Sequence, residues 1–411
     1  MIAKSKPMRA SVAILIVGVV CALLPGCSAN DAAQQGQSTS PTGEQPLEIS
    51  PEAKSRRGSI VESQPVATPS PPLADLKSKQ FTVVYRSVSG IDGTGRDVSG
   101  TVVVPEGTPP PGGWPVIAYG HGVTGIDDAC GPSGYPDLLG YDLVVASLVS
   151  LGFVVTLSDY EGLGHPGTHP LLEPRTAAFN MIDSVRAARE IAPSASTKWF
   201  AVGISQGGQA SWAANEFAGE YGDGLELLGS ASMAPVVDMS KFATLAESGW
   251  LSMEQQALLP MLVHGLRATH PDLDPTDYLH GALSRNTDVW LACTGPLVQQ
   301  RLALSGELRE TDSTPVSKEA GEKLERIFAE YSMPQRPATA PMLVITGAND
   351  DTVRAQWVRT AVENACGRGD VVEFTVRPDE GHSNLNGGPR LSQWLTERLD
   401  GAAPVDNCSE V

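Results

Sequence analysis

The apolar positions of this chain change rhythm several times. Residues 10–24 form one nearly unbroken apolar run. Residues 28 to about 78 show no apolar periodicity and are rich in Ala, Gln, Ser, Pro and Glu, as in "VATPSPPLADLKSK". From near Gln80 the pattern becomes that of short strands. "FTVVYRSVSG" and "DVSGTVVVP" flank a Gly-rich turn and predict a hairpin. Beyond them, continuous apolar runs alternate with helical ones. Strands are predicted at 114–120, 153–160, 198–203 and 225–235, and helices at 136–152, 175–192 and 206–221. Apolar runs separated by helices predict a mostly parallel sheet covered on both faces.

The alternation stops over residues 236–338, where runs such as "MEQQALLPMLVHGLRATH" and "SKEAGEKLERIFAEY" are helical and no strand is evident. It resumes with a strand at 341–347, a helix at 352–367, a strand at 371–378 and a last helix at 389–401. The expected organisation is a leader (1–26), a disordered tether (27–78), an α/β core in two parts (79–235 and 339–411) and a helical insertion between them (236–338).

The leader changes the picture of where the protein works. Lys4, Lys6 and Arg9 precede the apolar run, which is shorter than the ~20 residues of a membrane span but suits a signal peptide. It ends in "LPGC", which resembles a bacterial lipobox. On that reading Cys27 is lipidated and becomes the new N-terminus, anchoring the chain to a membrane; the alternative is cleavage and release. The net charge of −18 argues against a nucleic-acid partner, which needs a basic surface. Beyond the leader and Cys27 stand Cys130, Cys293, Cys366 and Cys408. Four cysteines in an exported chain suggest two disulfides, and none has the spacing of a metal site.

Residues 201–210 read "AVGISQGGQA", with Gly203, Ser205 and Gly207 at the spacing G-x-S-x-G between a predicted strand and a predicted helix. That context suits a nucleophile elbow. A serine needs a base, and the hydrolase order is Ser, acid, His. Of the seven histidines, His382 alone follows the resumed strand and its acids, in "DEGHSN". The acid is expected after the strand 341–347, in "ANDDTV", with Asp350 preferred and Asp351 second as a helix cap. Glu380 is nearer His382 in sequence, which does not by itself orient the ring. Backbone N–H groups of Gln206 and of Val123, or else Gly122, in "HGVTG" are the expected oxyanion donors. His121 and Asp159 are read as braces of their loops, with Tyr160 and Leu163 as pocket-lining candidates.

"AYGHGVTGIDDACGPS" (118–133), "SDYEGLGHPGTHPLL" (158–172) and "GISQGGQA" together resemble the secretory lipase family, of the lipase A type, over about residues 80–400. The resemblance implies an α/β-hydrolase fold, a helical lid inserted before the acid strand, and ester or lipid hydrolysis through Ser205, Asp350 and His382. No metal or organic cofactor is implied. Two departures stand out: Val123 where Thr is common, and His165 where Thr is more usual.

Trp250, Leu251, Leu258, Leu259, Met261 and Leu262 in the insertion are expected to be mostly core, with a few facing the cleft to bind acyl chains. A Cys130–Cys293 bridge would tie the insertion to the core, and Cys366–Cys408 would pin the C-terminal tail. Two other functions fit the same residues: acyl transfer to a cell-envelope alcohol, and lipid binding on a hydrolase fold without catalysis.

Overall fold

A computed structural model describes residues 47–411; the leader, Cys27 and residues 27–46 lie outside the described residues. The strands are β1 (Ile60–Pro65), β2 (Lys79–Val88), β3 (Gly95–Val104), β4 (Trp114–Gly120), β5 (Val154–Ser158), β6 (Ala195–Ile204), β7 (Glu226–Met233), β8 (Met342–Gly347) and β9 (Val372–Arg377). They form one sheet in the order β1-β2-β3-β5-β4-β6-β7-β8-β9. β2 and β3 are the expected hairpin, with Tyr85 opposite Val98. From β5 to β9 every pairing is parallel.

The helices are α1 (Pro51–Arg56), α2 (Pro71–Asp75), α3 (Asp142–Ser150), α4 (Pro174–Ile191), α5 (Gln206–Tyr221), α6 (Ser240–Glu247), α7 (Met253–Leu266), α8 (Gly281–Arg285), α9 (Thr287–Leu291), α10 (Pro296–Ser305), α11 (Lys318–Glu330), α12 (Ala355–Gly367) and α13 (Gly388–Leu399). Side chains alternate across each strand, so each face of the sheet builds its own core. On one face Ala118, Trp199 and Ala201 meet Phe179 of α4, Trp212 of α5 and Val358 of α12. On the other, Ile117, Phe200 and Val202 meet Val145 of α3 and Trp394 of α13. This two-sided cover explains why the central strands read as unbroken apolar runs. No helix among the described residues is long and apolar enough to cross a membrane.

Two expectations change. The tether does not extend over residues 47–78, which carry α1, β1 and α2. β1 pairs antiparallel with β2 at the sheet edge, but most of its side chains are exposed, so no apolar period marks it. Ser50 caps α1 by accepting from Ala53 N–H at 3.1 Å, and Arg57 donates to the Tyr221 carbonyl at 2.8 Å. The helix expected from residue 136 starts only at Asp142, because Leu138 and Leu139 both take φ of 53°. Left-handed backbone at two leucines ends any helix passing through them.

Between β7 and β8 every regular element is helical, α6 to α11. Leu251, Leu259, Met261 and Leu262 are buried core residues, and Leu258 packs half-buried against them. Trp250 instead is 71% exposed. The strap returning from the insertion to β8 is pinned to α5. Glu216 accepts from Gln335 N–H at 3.0 Å, Arg336 N–H at 2.9 Å and Trp212 Nε1–H at 2.9 Å. Asn215 Oδ1 accepts from Thr339 and Ala340 N–H, both at 2.9 Å.

Disulfides join Cys130 to Cys293 and Cys366 to Cys408, each with Cα atoms 5.5 Å apart. The first ties the insertion to the loop after β4, and the second ties α12 to the C-terminal tail.

Both oxygens of Glu216 receive donors, so an amide in its place would turn an N–H₂ toward another N–H whichever way it flips. Glu216→Gln should therefore lower the unfolding free energy by about 1–3 kcal/mol, measured by denaturant titration.

Candidate active site

Ser205 sits between β6 and α5 with φ 57° and ψ −121°, a strained backbone that lifts its side chain off the strand. The turn is possible only with almost no side-chain bulk around it. A Cβ on Gly203 would lie 2.1 Å from the Gly207 carbonyl oxygen, and one on Gly207 would lie 1.9 Å from the Gly120 carbonyl oxygen. Ser205 N–H donates to the Met233 carbonyl at 2.9 Å, and its own carbonyl accepts from Val236 N–H at 3.2 Å. The elbow is thus bonded to the chain around the end of β7.

Asp350 follows β8 and is buried, at 4% exposure. Its Oδ1 accepts from Thr352 N–H at 2.9 Å and Val353 N–H at 2.7 Å, which leaves Oδ2 aimed at His382 Nδ1, 2.7 Å away. Asp351 is exposed, and its carbonyl accepts from Ser252 Oγ–H at 3.0 Å. His382 stands after β9 with Nε2 3.0 Å from Ser205 Oγ. A carboxylate only accepts, so Nδ1 carries the proton and Nε2 faces the serine with its lone pair. Glu380 braces this loop: its carbonyl accepts from Asn349 N–H at 2.9 Å and its Oε2 from Asn386 N–H at 2.7 Å.

Gln206 N–H opens α5, where the helix dipole favours negative charge, and has no protein acceptor among the described residues. The same holds for Val123 N–H. Gly122 N–H is already used, donating to Tyr141 Oη at 2.8 Å. His121 is buried, with Nδ1 2.7 Å from the Gly122 carbonyl and Nε2 3.3 Å from the Asp159 carbonyl; burial pushes its pKa down to about 4. Asp159 accepts from Ser99 Oγ–H at 2.7 Å and from Ser133 N–H at 2.9 Å, and burial raises its pKa to about 6. Tyr160 and Leu163 are buried, Tyr160 Oη–H donating to the His121 carbonyl at 3.3 Å.

Sequence reasoning missed His169. Its Nδ1–H donates to the Glu161 carbonyl at 2.8 Å, and its Nε2 accepts from Gln206 Nε2–H at 3.1 Å. The buried ring holds the side chain of the residue after Ser205, and burial lowers its pKa to about 4. Nothing in "GTHPLL" signals this, since the partner lies 37 positions away. His165 lines a separate polar cavity of about 500 Å³ with Arg96 and Glu161. A cavity of about 570 Å³ beside Trp114 and Leu151 opens at the amino ends of β4 and β6, the sheet edge opposite Ser205. In α/β sheets ligands bind at the carboxyl edge, where Ser205, Asp350 and His382 meet.

The sequence profile of the family described as secretory lipase matches residues 139–407, well over half of the chain. The chain belongs to the secretory lipase family. A relative from Mycobacterium tuberculosis, named "Probable inactive lipase", is 22% identical over 331 residues, spanning 75% of this chain and 71% of its own. The fold resembles that of lipase A from Candida antarctica, with TM-score 0.68 and 18% identity over 87% of this chain and 86% of that one. It also resembles the rice cell wall degrading esterase LipA from Xanthomonas oryzae, with TM-score 0.62 and 20% identity over 84% and 96% of the two chains. This secretory lipase has the α/β-hydrolase fold, with the helical insertion placed before β8, the strand that Asp350 follows.

His169 gives the site a measurable acid sensitivity. Its folded pKa lies below its ordinary value of 6.5, so its contribution to stability is complete above pH 6.5 and is lost as pH falls toward 4. The stability gap between wild type and His169→Gln should therefore shrink by about 3 kcal/mol between pH 7 and pH 4, measured by denaturant titration at both.

Proposed function

We propose that this secretory lipase is an active serine hydrolase of carboxylic esters, with lipid esters such as triacylglycerols as its substrate class. The observation that carries the reading is the His382 ring, bonded to Asp350 at 2.7 Å and to Ser205 at 3.0 Å. Ser205 Oγ attacks the ester carbonyl while His382 Nε2 takes its proton. The carbonyl electrons move onto oxygen, facing the N–H groups of Gln206 and Val123. On collapse the C–O bond breaks, and His382 returns the proton to the leaving alcohol. Water then repeats the sequence on the acyl-enzyme and releases the acid. Asp350 remains ionised throughout, holding the ring's tautomer and stabilising the imidazolium.

Membership of the family and likeness in fold to a lipase and an esterase support the ester class. One observation favours a second reading, lipid binding without catalysis: the Mycobacterium relative is named inactive. A buried acid and a serine, each hydrogen-bonded to opposite nitrogens of one ring, weigh against it here. The segment 236–338 is assigned the role of lid over the site.

Ser205→Ala should abolish turnover of p-nitrophenyl esters and labelling by a fluorophosphonate probe with the fold intact. Asp350→Asn should lower kcat by about 10⁴-fold, as loss of the orienting acid does in serine hydrolases, while Asp351→Asn stays within a few fold of wild type. A wild-type chain that the probe leaves unlabelled would establish the binding reading instead. Product analysis with an added alcohol separates hydrolysis from acyl transfer.

The site is assigned to the outside of the cytoplasmic membrane, in keeping with the two disulfides, and Cys27 to lipid attachment. Cys27→Ser should remove palmitate labelling and release the protein from membranes; label that survives the change excludes the anchor.

A further inference from the structure

Tyr141 was singled out by no motif, yet it meets the oxyanion loop directly. Its Oη accepts the Gly122 N–H at 2.8 Å. That bond removes Gly122 from the set of free backbone donors and occupies one lone pair of the phenol. The hydroxyl hydrogen has no acceptor among the described residues. A Cβ built on Gly122 would stand 3.1 Å from Tyr141 Oη and 3.4 Å from Ser205 Cβ. The phenol oxygen and the Ser205 side chain at its Cβ therefore flank the same small space, one that the absence of a side chain at residue 122 keeps open.

The hydroxyl is held in place with little freedom. The Tyr141 ring packs against those of Tyr119 and His121, with centroids 6.1 and 5.9 Å away. Leu138 and Leu139, both at φ 53°, turn the chain just before it, where a regular helix would otherwise run. Left-handed leucines cost free energy, and such strain concentrates where a side chain must be aimed. Burial pushes the phenol pKa up, so the proton stays on oxygen near neutral pH.

From this geometry, and resting on the hydrolase reading above, we infer that the Tyr141 hydroxyl donates a hydrogen bond to the oxyanion formed when Ser205 attacks an ester. The Gly122 N–H stands behind it in series, polarising the O–H that points into the site. The proton stays on the phenol throughout, and no covalent bond is made or broken at Tyr141. The oxyanion thus takes one side-chain donor in addition to the backbone N–H groups at Gln206 and Val123.

Two replacements test this against simple bracing of the loop. Tyr141→Phe removes one oxygen and should lower kcat/KM for p-nitrophenyl esters, and the rate of fluorophosphonate labelling, by ~10²-fold. Replacing the phenol with a ring-fluorinated tyrosine makes it a better donor and a poorer acceptor without changing its shape. At a pH where the fluorinated phenol stays protonated, a donor role predicts a kcat above that of wild type. A role limited to accepting the Gly122 N–H predicts a lower or unchanged kcat, and that result overturns the inference. So does a Tyr141→Phe variant within threefold of wild type. A wild-type chain inactive on every ester and unlabelled by the probe would sink the hydrolase reading, and this inference with it.

Discussion

The site depends on how closely three backbones approach one another at the carboxyl ends of β4 and β6. The Gly207 Cα lies so near the Gly120 carbonyl that a Cβ there would sit 1.9 Å from its oxygen. Contact of that kind lets α5 begin directly against the sheet. It also holds Ser205 at φ 57°, where a serine would not stay unaided. The strain is held by bonds on both sides: Ser205 N–H to the end of β7 and Val236 N–H to the Ser205 carbonyl. Larger residues at 203 or 207 would push the helix away and dissolve the turn, so the rest of the site has no position without them.

Around that fixed point the other groups arrive from separate loops along one sheet edge. His382 comes from the loop after β9, 177 positions from Ser205, and Asp350 from the loop after β8. Each is also held by bonds of its own loop. Asp350 spends one oxygen on two backbone N–H groups, and Glu380 clasps the histidine loop with both its carbonyl and its carboxylate. Preorganisation of this kind is what the proposed ester hydrolysis would need. The buried rings of His121, Tyr160 and His169 and the half-buried ring of Tyr141 form a second tier beneath the loop after β4 and the start of α5, each hydrogen-bonded to backbone or to Gln206.

The helical insertion is attached to the core at points that flank the site. Cys293 reaches Cys130 beside the oxyanion loop, Ser252 bonds the Asp351 carbonyl, and Glu216 and Asn215 grip the returning strap. Ser252 also stands next to Leu251, which is buried, and near Trp250, which is exposed. Two adjacent apolar residues thus have opposite surroundings, and only the path of the chain decides which is which.

Much of this protein was legible in its sequence because the signals were local. Unbroken apolar runs between helices announced a covered parallel sheet, since both faces of such strands are buried. G-x-S-x-G at a strand–helix junction pointed to Ser205, and chain order left His382 and the pair Asp350 and Asp351. The edge strand β1 and the late start of α3 were not legible: one is held by backbone bonds that any side chain allows, the other is bent by two left-handed leucines that any helix propensity would have accepted. His169 and Tyr141 escaped for a related reason, since their partners Gln206 and Gly122 lie far along the chain. The sequence by itself determined the class of sheet, the order of its elements and the residue types able to do acyl chemistry. The tertiary structure decided which aspartate is buried against His382, which leucines are core and which backbone N–H is already spent. Burial and hydrogen-bond partnership are properties of neighbours, and neighbours exist only once the chain has folded.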